Sequence, residues 1–179
     1  MIDSLITSKT RIKLLLKFFL NSQTKSYLRS LESEFGESTN SIRVELNRLE
    51  HAGLLNSANK GNKKMFFANT SHPLFNDINS ILRKFIGIDQ IIERVTSQIG
   101  DLQSAYLTGD LAIGRDSKII DLAFIGENLD KAYIDQLIKF AENSITRRIK
   151  YIVLSSDELI HFFDNEPILL IWSAGELKK

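Results

Sequence analysis

Cysteine is absent from the 179 residues, which excludes disulfides and thiolate-ligated metal centres. Histidine is scarce: His51, His72 and His161 stand far apart in the sequence, so no histidine metal site and no cofactor is expected. There is no uninterrupted apolar run of roughly 20 residues, the length a membrane-spanning helix needs. The opening residues, Met1-Ile-Asp-Ser-Leu-Ile-Thr-Ser8, lack a basic segment followed by an apolar one, so a secretory signal is not expected. An apolar content of 43% with 25% charged residues is ordinary for a folded domain, and a cytoplasmic protein without a membrane partner is the expectation.

Neither sign of charge dominates the whole, yet the net +1 conceals a division. Residues 1–87 hold 13 Lys and Arg against 7 Asp and Glu, whereas residues 88–179 hold 10 against 15. A basic half joined to an acidic half suggests two tasks, the basic one facing a polyanion.

Within the basic half, Ser8 is placed to cap a helix in which Ile12, Leu15, Leu16 and Phe19 recur at helical spacing. Lys9, Arg11, Lys13 and Lys17 fall off that stripe and are expected to serve solubility. Ser26 is expected to cap a second helix with Leu28, Leu31 and Phe35, ended by Gly36, which can adopt the positive φ of a tight turn. Ser38 then opens a third helix, buried through Ile42, Leu46 and Leu49. At about 100° per residue, Asn40, Arg43, Val44, Asn47 and His51 point the other way. Arginine suits the acceptors of guanine, asparagine suits adenine, and a small apolar side chain suits the thymine methyl. Asn40, Arg43 and Asn47 are the expected base readers, with Thr39 and Arg48 on phosphates.

Gly53 ends this helix. Residues 54–58 and 64–69 read as paired strands around a turn at 59–63, whose tip presents Lys60, Lys63 and Lys64, lysines suited to a DNA backbone. The whole pattern, LRSLESEFGESTNSIRVELNRLEHAGLL plus a basic hairpin, resembles the winged helix domain of ArsR/MarR-like bacterial transcription regulators over residues 8 to about 70. The resemblance implies a recognition helix in the major groove and double-stranded DNA as partner.

Beyond His72-Pro73, two amphipathic helices follow. Leu74, Ile78, Ile81, Leu82 and Phe85 stop at Gly87, and Ile88, Ile91, Ile92, Val95 and Ile99 stop at Gly100. Their stripes must be buried, and a homodimer through this segment is the expectation, intramolecular packing being the alternative.

From residue 102, strands at 102–108, 119–125, 148–154 and 167–172 alternate with helices at 132–144 and 157–163, an α/β pattern. Phe162, Phe163, Ile168 and Trp172 are expected in its core. Ala105-Tyr-Leu-Thr-Gly-Asp-Leu-Ala-Ile-Gly114, followed by Asp116-Ser-Lys-Ile-Ile-Asp-Leu-Ala-Phe-Ile-Gly126, is similar to the minimal nucleotidyltransferase domain. That family shows G-S-x-x-x-G, a strand bearing D-x-D and a later third carboxylate, which together hold a nucleotide and two divalent cations. Gly109, Gly114 and Asp121 match. Asp110 stands at the serine, Ile119 at the first aspartate, and residues 148–154 contain no acid. The resemblance thus implies a nucleotide-binding remnant at Gly109, Asp110, Gly114 and Asp121, without catalytic or metal-binding residues.

The expected class is α+β, with a winged helix-turn-helix at 1–70, connecting or dimerisation helices at 71–100 and a nucleotidyltransferase-like domain at 101–179. The expected function is sequence-specific transcription regulation, with a small molecule or nucleotide as effector. The alternatives are an active Mg²⁺-dependent nucleotidyltransferase and an antitoxin-like protein-interaction module.

Overall fold

The computed structural model describes residues 6–96 and 99–175. The class is α+β, and the chain divides into two compact units. The first runs to Phe85 and includes Gly114–Asp116; the second comprises Ile86–Ile113 and the residues from Ser117 onward. The segment 71–100 is therefore shared between units, the division falling between Phe85 and Ile86. Among the described residues no helix is long and apolar enough to cross a membrane.

The first unit opens with α1 (Lys9–Leu15), capped by Ser8 Oγ, which accepts from the Arg11 N–H at 3.2 Å. A π-helical turn, Leu16–Leu20, continues it. The expected stripe is buried, but so are Leu14, Phe18, Leu20 and Lys17. A run such as Leu14-Leu-Leu-Lys-Phe-Phe-Leu20 leaves almost no polar face, and a helix apolar all round lies inside. Lys9 is exposed, as expected, but the other three cations of this run are framework rather than solvated surface. Lys17 pairs with Glu34 at 2.8 Å, Lys13 with Glu37 at 2.6 Å and Arg11 with Glu45 at 2.8 Å.

Ser26 does not cap a helix. It is buried in strand β1 (Lys25–Tyr27), and Tyr27 precedes α2 (Leu28–Phe35) without a side-chain cap. Pairing with a strand some forty residues later outweighs a local capping preference here. Gly36 closes α2 at φ 62°, and Ser38 Oγ accepts from the Ser41 N–H to open α3 (Thr39–His51). Ile42, Leu46 and Leu49 form the buried face of α3. At its end Gly53 (φ 72°) donates to the Glu50 carbonyl and Leu54 to that of Leu49, the two bonds of a Schellman motif.

Strands β2 (Leu55–Lys60) and β3 (Lys63–Ala68) form the wing in a three-stranded sheet of order β1-β3-β2. The expected five-residue turn contracts to two, because Lys60 pairs with Lys63 and Gly61 takes φ 60° at the first turn position, where such hairpins favour glycine. Helix α4 (Phe75–Ile86) follows.

The second unit holds α5 (Ile88–Thr96) and a four-stranded sheet of order β6-β5-β4-β7. Its strands are β4 (Asp101–Thr108), β5 (Ile119–Glu127), β6 (Arg148–Leu154) and β7 (Leu169–Ser173). β4 is antiparallel to β5 and β7; β5 and β6 are parallel, joined through α7 (Lys131–Glu142) as a parallel pair requires. A short helix not expected from the sequence, α6 (Gly109–Ala112), lies between β4 and β5. Ala123, Ile125 and Leu154 form a core on one sheet face, covered by Leu159 of α8 (Ser156–Phe162) and by Phe163. Phe162, expected in that core, is 56% exposed. A helix of seven residues turns only one narrow face inward; Leu159 and Phe163 occupy it, and Phe162 is left edge-on to Phe163 at 5.0 Å. Ile168 and Trp172 are half-buried.

Candidate nucleic-acid interface

The outward face of α3 carries Asn40, Arg43, Val44, Asn47, Arg48 and His51, all exposed, with Thr39 half-buried in the first turn. Arg43 and Asn47, one helical turn apart, line a cleft of about 480 Å³ between α3, the start of α2 and the wing. Lys63 and Lys64 line the same cleft, and so do Arg29 and Tyr27, which the sequence did not single out. No local signal marks those two: they reach the cleft because β1 pairs with β3, setting Tyr27 opposite Met65. Lys60 is exposed beside the hairpin turn and does not line the cleft.

Internal contacts hold these cations in place. Lys63 Nζ sits 4.3 Å from the centre of the Tyr27 ring, and Lys64 Nζ sits 5.0 Å from that of Phe66. Lys64 also pairs with Glu50 at 2.7 Å, joining the end of α3 to the wing. Hydrogen bonds from Lys64 and Ser57 hold the Glu50 carboxyl below its ordinary pKa. Arg48, expected on phosphate, donates to Glu45 at 3.1 Å while its side chain stays 62% exposed.

Glu45 is the hub beneath this face. Its side chain, 7% exposed, accepts from Arg11 Nε at 2.8 Å and from Ser8 Oγ at 3.2 Å as well as from Arg48. Burial alone would raise its pKa; the hydrogen bonds and charge of Arg11, with help from Ser8 and Arg48, reverse that and lower it. A carboxylate buried under the outward face of α3 thus stays ionised and fixes α1 against α3.

In the second unit, Gly109 and Asp121 come together. A Cβ on Gly109 would lie 2.9 Å from Asp121 Oδ2, at a backbone φ of 62°. Both line a cleft of about 330 Å³ with Lys150, Phe162, Phe163 and Glu166. The Cα register pairs Asp121 with Thr108 on one side and Lys150 on the other. Asp110 is half-buried in the first turn of α6. Gly114 belongs to the first unit, where its φ is 72° and a Cβ would come within 2.6 Å of the Lys17 Cα and carbonyl oxygen; backbone conformation and packing both call for glycine there. The donor set does not fit a pair of divalent cations. A lysine neighbours the one matching aspartate, and among the described residues no three His, Asp or Glu side chains cluster closely enough to hold a metal.

The chain matches no protein-family model and no curated protein. Among solved structures it is similar to HlyU from Vibrio cholerae, with 12% identity and a TM-score of 0.35 over 54% of this chain and 86% of that one. It is also similar to a candidate nucleotidyltransferase from Sulfolobus solfataricus, with 23% identity and a TM-score of 0.39 over 55% of this chain and 88% of that one. The transcriptional regulator BldR from Sulfolobus solfataricus gives 14% identity and a TM-score of 0.37 over 54% of this chain and 69% of that one.

Proposed function

We propose that the chain is a cytoplasmic, sequence-specific DNA-binding transcription regulator acting as a homodimer. In this reading α3 enters the major groove and the wing lies along the backbone. The observation that carries it is the convergence of Arg43, Asn47, Lys63, Lys64 and Arg29 on one cleft beside the second helix of a helix-turn-helix. α3 has 13 residues, so it is about 20 Å long, and a helix fits a major groove roughly 12 Å wide. Asn40, Arg43 and Asn47 read bases; Thr39, Arg48 and the wing lysines contact phosphates. Arg29, in the first turn of α2, joins the phosphate set.

The second unit then has a regulatory rather than catalytic role, responding to a small molecule or nucleotide. Lys150 beside Asp121 supports this, because a lysine there opposes the binding of the cations that phosphoryl transfer requires. Transfer from a labelled nucleotide, dependent on Mg²⁺ and lost in Asp121→Ala, would favour the enzymatic alternative instead. Fluorescence anisotropy with duplex DNA tests the main reading. Affinity should fall steeply with salt, and an unaltered response in a Lys60/Lys63/Lys64→Ala variant would contradict it.

A further inference from the structure

The strand register lays three polar side chains of different chemistry in one row across the second sheet. Thr108 of β4 stands opposite Asp121 of β5, which stands opposite Lys150 of β6. Residues opposite one another on neighbouring strands, about 4.8 Å apart, project from the same face. The next row on that face, Tyr106, Ala123 and Ile152, belongs to the core that Leu159 and Phe163 cover. The polar row instead lines the open cleft, with Phe162, Phe163 and Glu166. Its charges do not satisfy one another. Among the described residues Asp121, Lys150 and Glu166 form no ion pair, although Glu34, Glu37, Glu45 and Glu50 each do. Gly109, at φ 62° and without a Cβ, lets the Asp121 carboxylate lie against it, on the β4 side and away from Lys150. The Thr108 side chain, only 8% exposed, lines the same cleft and makes no hydrogen bond among the described residues.

We propose that this cleft binds a cationic α-amino acid, of the lysine or arginine class, as the effector of the second unit. The inference rests on the regulatory reading above and names its ligand. An α-amino acid carries an ammonium and a carboxylate on one carbon, so its head bridges Asp121 and Lys150, which sit on adjacent strands but turn apart. The ammonium donates to Asp121 and to the Thr108 hydroxyl, and the carboxylate accepts from Lys150. The side chain runs over the Phe162 ring, whose face suits both methylenes and a cation. Charge fixes the rest. Asp121 and Glu166 against Lys150 leave an excess of one negative charge in the cleft. A basic amino acid carries the one positive charge that balances it, its terminal cation meeting Glu166. A neutral amino acid leaves Glu166 unpaired, a diamine leaves Lys150 unpaired, and a nucleoside triphosphate meets two carboxylates. The cleft of about 330 Å³ is at the small end of ligand pockets, about 300 Å³ upward, and suits a single amino acid.

Isothermal titration calorimetry of the full chain without DNA, with L-arginine and L-lysine up to about 10 mM, reads this directly. One saturable site per chain is expected for at least one of them. The decarboxylated amines agmatine and cadaverine, and L-norleucine, which lacks the terminal cation, should each bind at least about tenfold more weakly. Lys150→Ala should abolish the preference over the amines, and Glu166→Gln the preference over norleucine. Both positions are exposed, so circular dichroism should stay native, and mere damage to the fold would not move the two preferences separately. No saturable heat with either amino acid, amines that bind equally well, or variants that keep both preferences would each overturn the assignment. ATP that binds more tightly than either amino acid and is lost in Asp121→Asn would overturn it too, giving the cleft to a nucleotide. Anisotropy with duplex DNA, with and without the amino acid, separates the two readings. Binding with these preferences that leaves DNA affinity unchanged sinks the regulatory reading alone, whereas DNA-binding chains that take up no amino acid sink the ligand assignment alone.

Discussion

In the cleft between α3 and the wing, Arg29, Arg43, Lys63 and Lys64 face one concavity; in the cleft beside β5 and β6, Asp121 and Glu166 share theirs with Lys150. Four carboxylates of the first unit lie inside or beside its framework: Glu34, Glu37, Glu45 and Glu50 each hold a cation. What remains toward solvent in its cleft is positive. The second unit mixes signs at its cleft, so neither a cluster of metal ions nor a polyphosphate meets a uniform field there. Matched spacing along a chain is therefore not enough: the chemistry depends on which side chains the strand register adds.

The largest expected effect lies in the framework of the basic unit. Lys17 and Glu34 are 8% and 9% exposed, so Lys17→Met strands a buried carboxylate. A stability loss of about 3 kcal/mol is expected by urea denaturation, at the low end of the usual cost because Arg115 lies 3.9 Å from Glu34. Adding Glu34→Gln should recover most of it.

Next come the substitutions that separate readers from clamps. Arg43→Ala should cost about 1–3 kcal/mol on the preferred duplex and relax selectivity at one base pair. Lys63→Ala should weaken all duplexes alike and reduce the salt slope by about one unit. Equal behaviour of the two variants in anisotropy titrations would erase the distinction.

Acid sharpens the contrast further. The Glu45 carboxyl has a lower pKa folded than its ordinary 4.5, so its contribution is present above that value and is lost as pH falls through the folded value. Thermal melts of Glu45→Gln should show a shallower decline below about pH 4.5 than the wild type. The smallest effect is expected across the comparison: Asp121→Ala should change DNA affinity by less than about 0.5 kcal/mol, and a larger change would tie the second cleft to DNA binding.

Helix α3 was legible because its determinants are local. Ser38, the period of Ile42, Leu46 and Leu49, and Gly53 all act within a turn or two. The outward set of Asn40, Arg43 and Asn47 follows from the same period. Burial of Lys17 was not legible, since the carboxylate that permits it lies 17 residues on. Nor could Ser26 be read correctly without knowing that β1 joins the wing. Lys150 beside Asp121 exists only in the β5–β6 register, and Tyr27 and Arg29 enter the first cleft only through the β1–β3 register. Local chemistry was readable; partners brought by pairing across long stretches of chain were not.

The central claim is sequence-specific reading by α3, and it is tested most directly by selecting bound duplexes from a random pool at moderate salt, wild type beside Arg43→Ala. A recovered motif with two symmetric half-sites, degraded at one position per half-site in the variant, is the expected result. No motif above background for the wild type would contradict it and leave the basic cleft without a sequence to read.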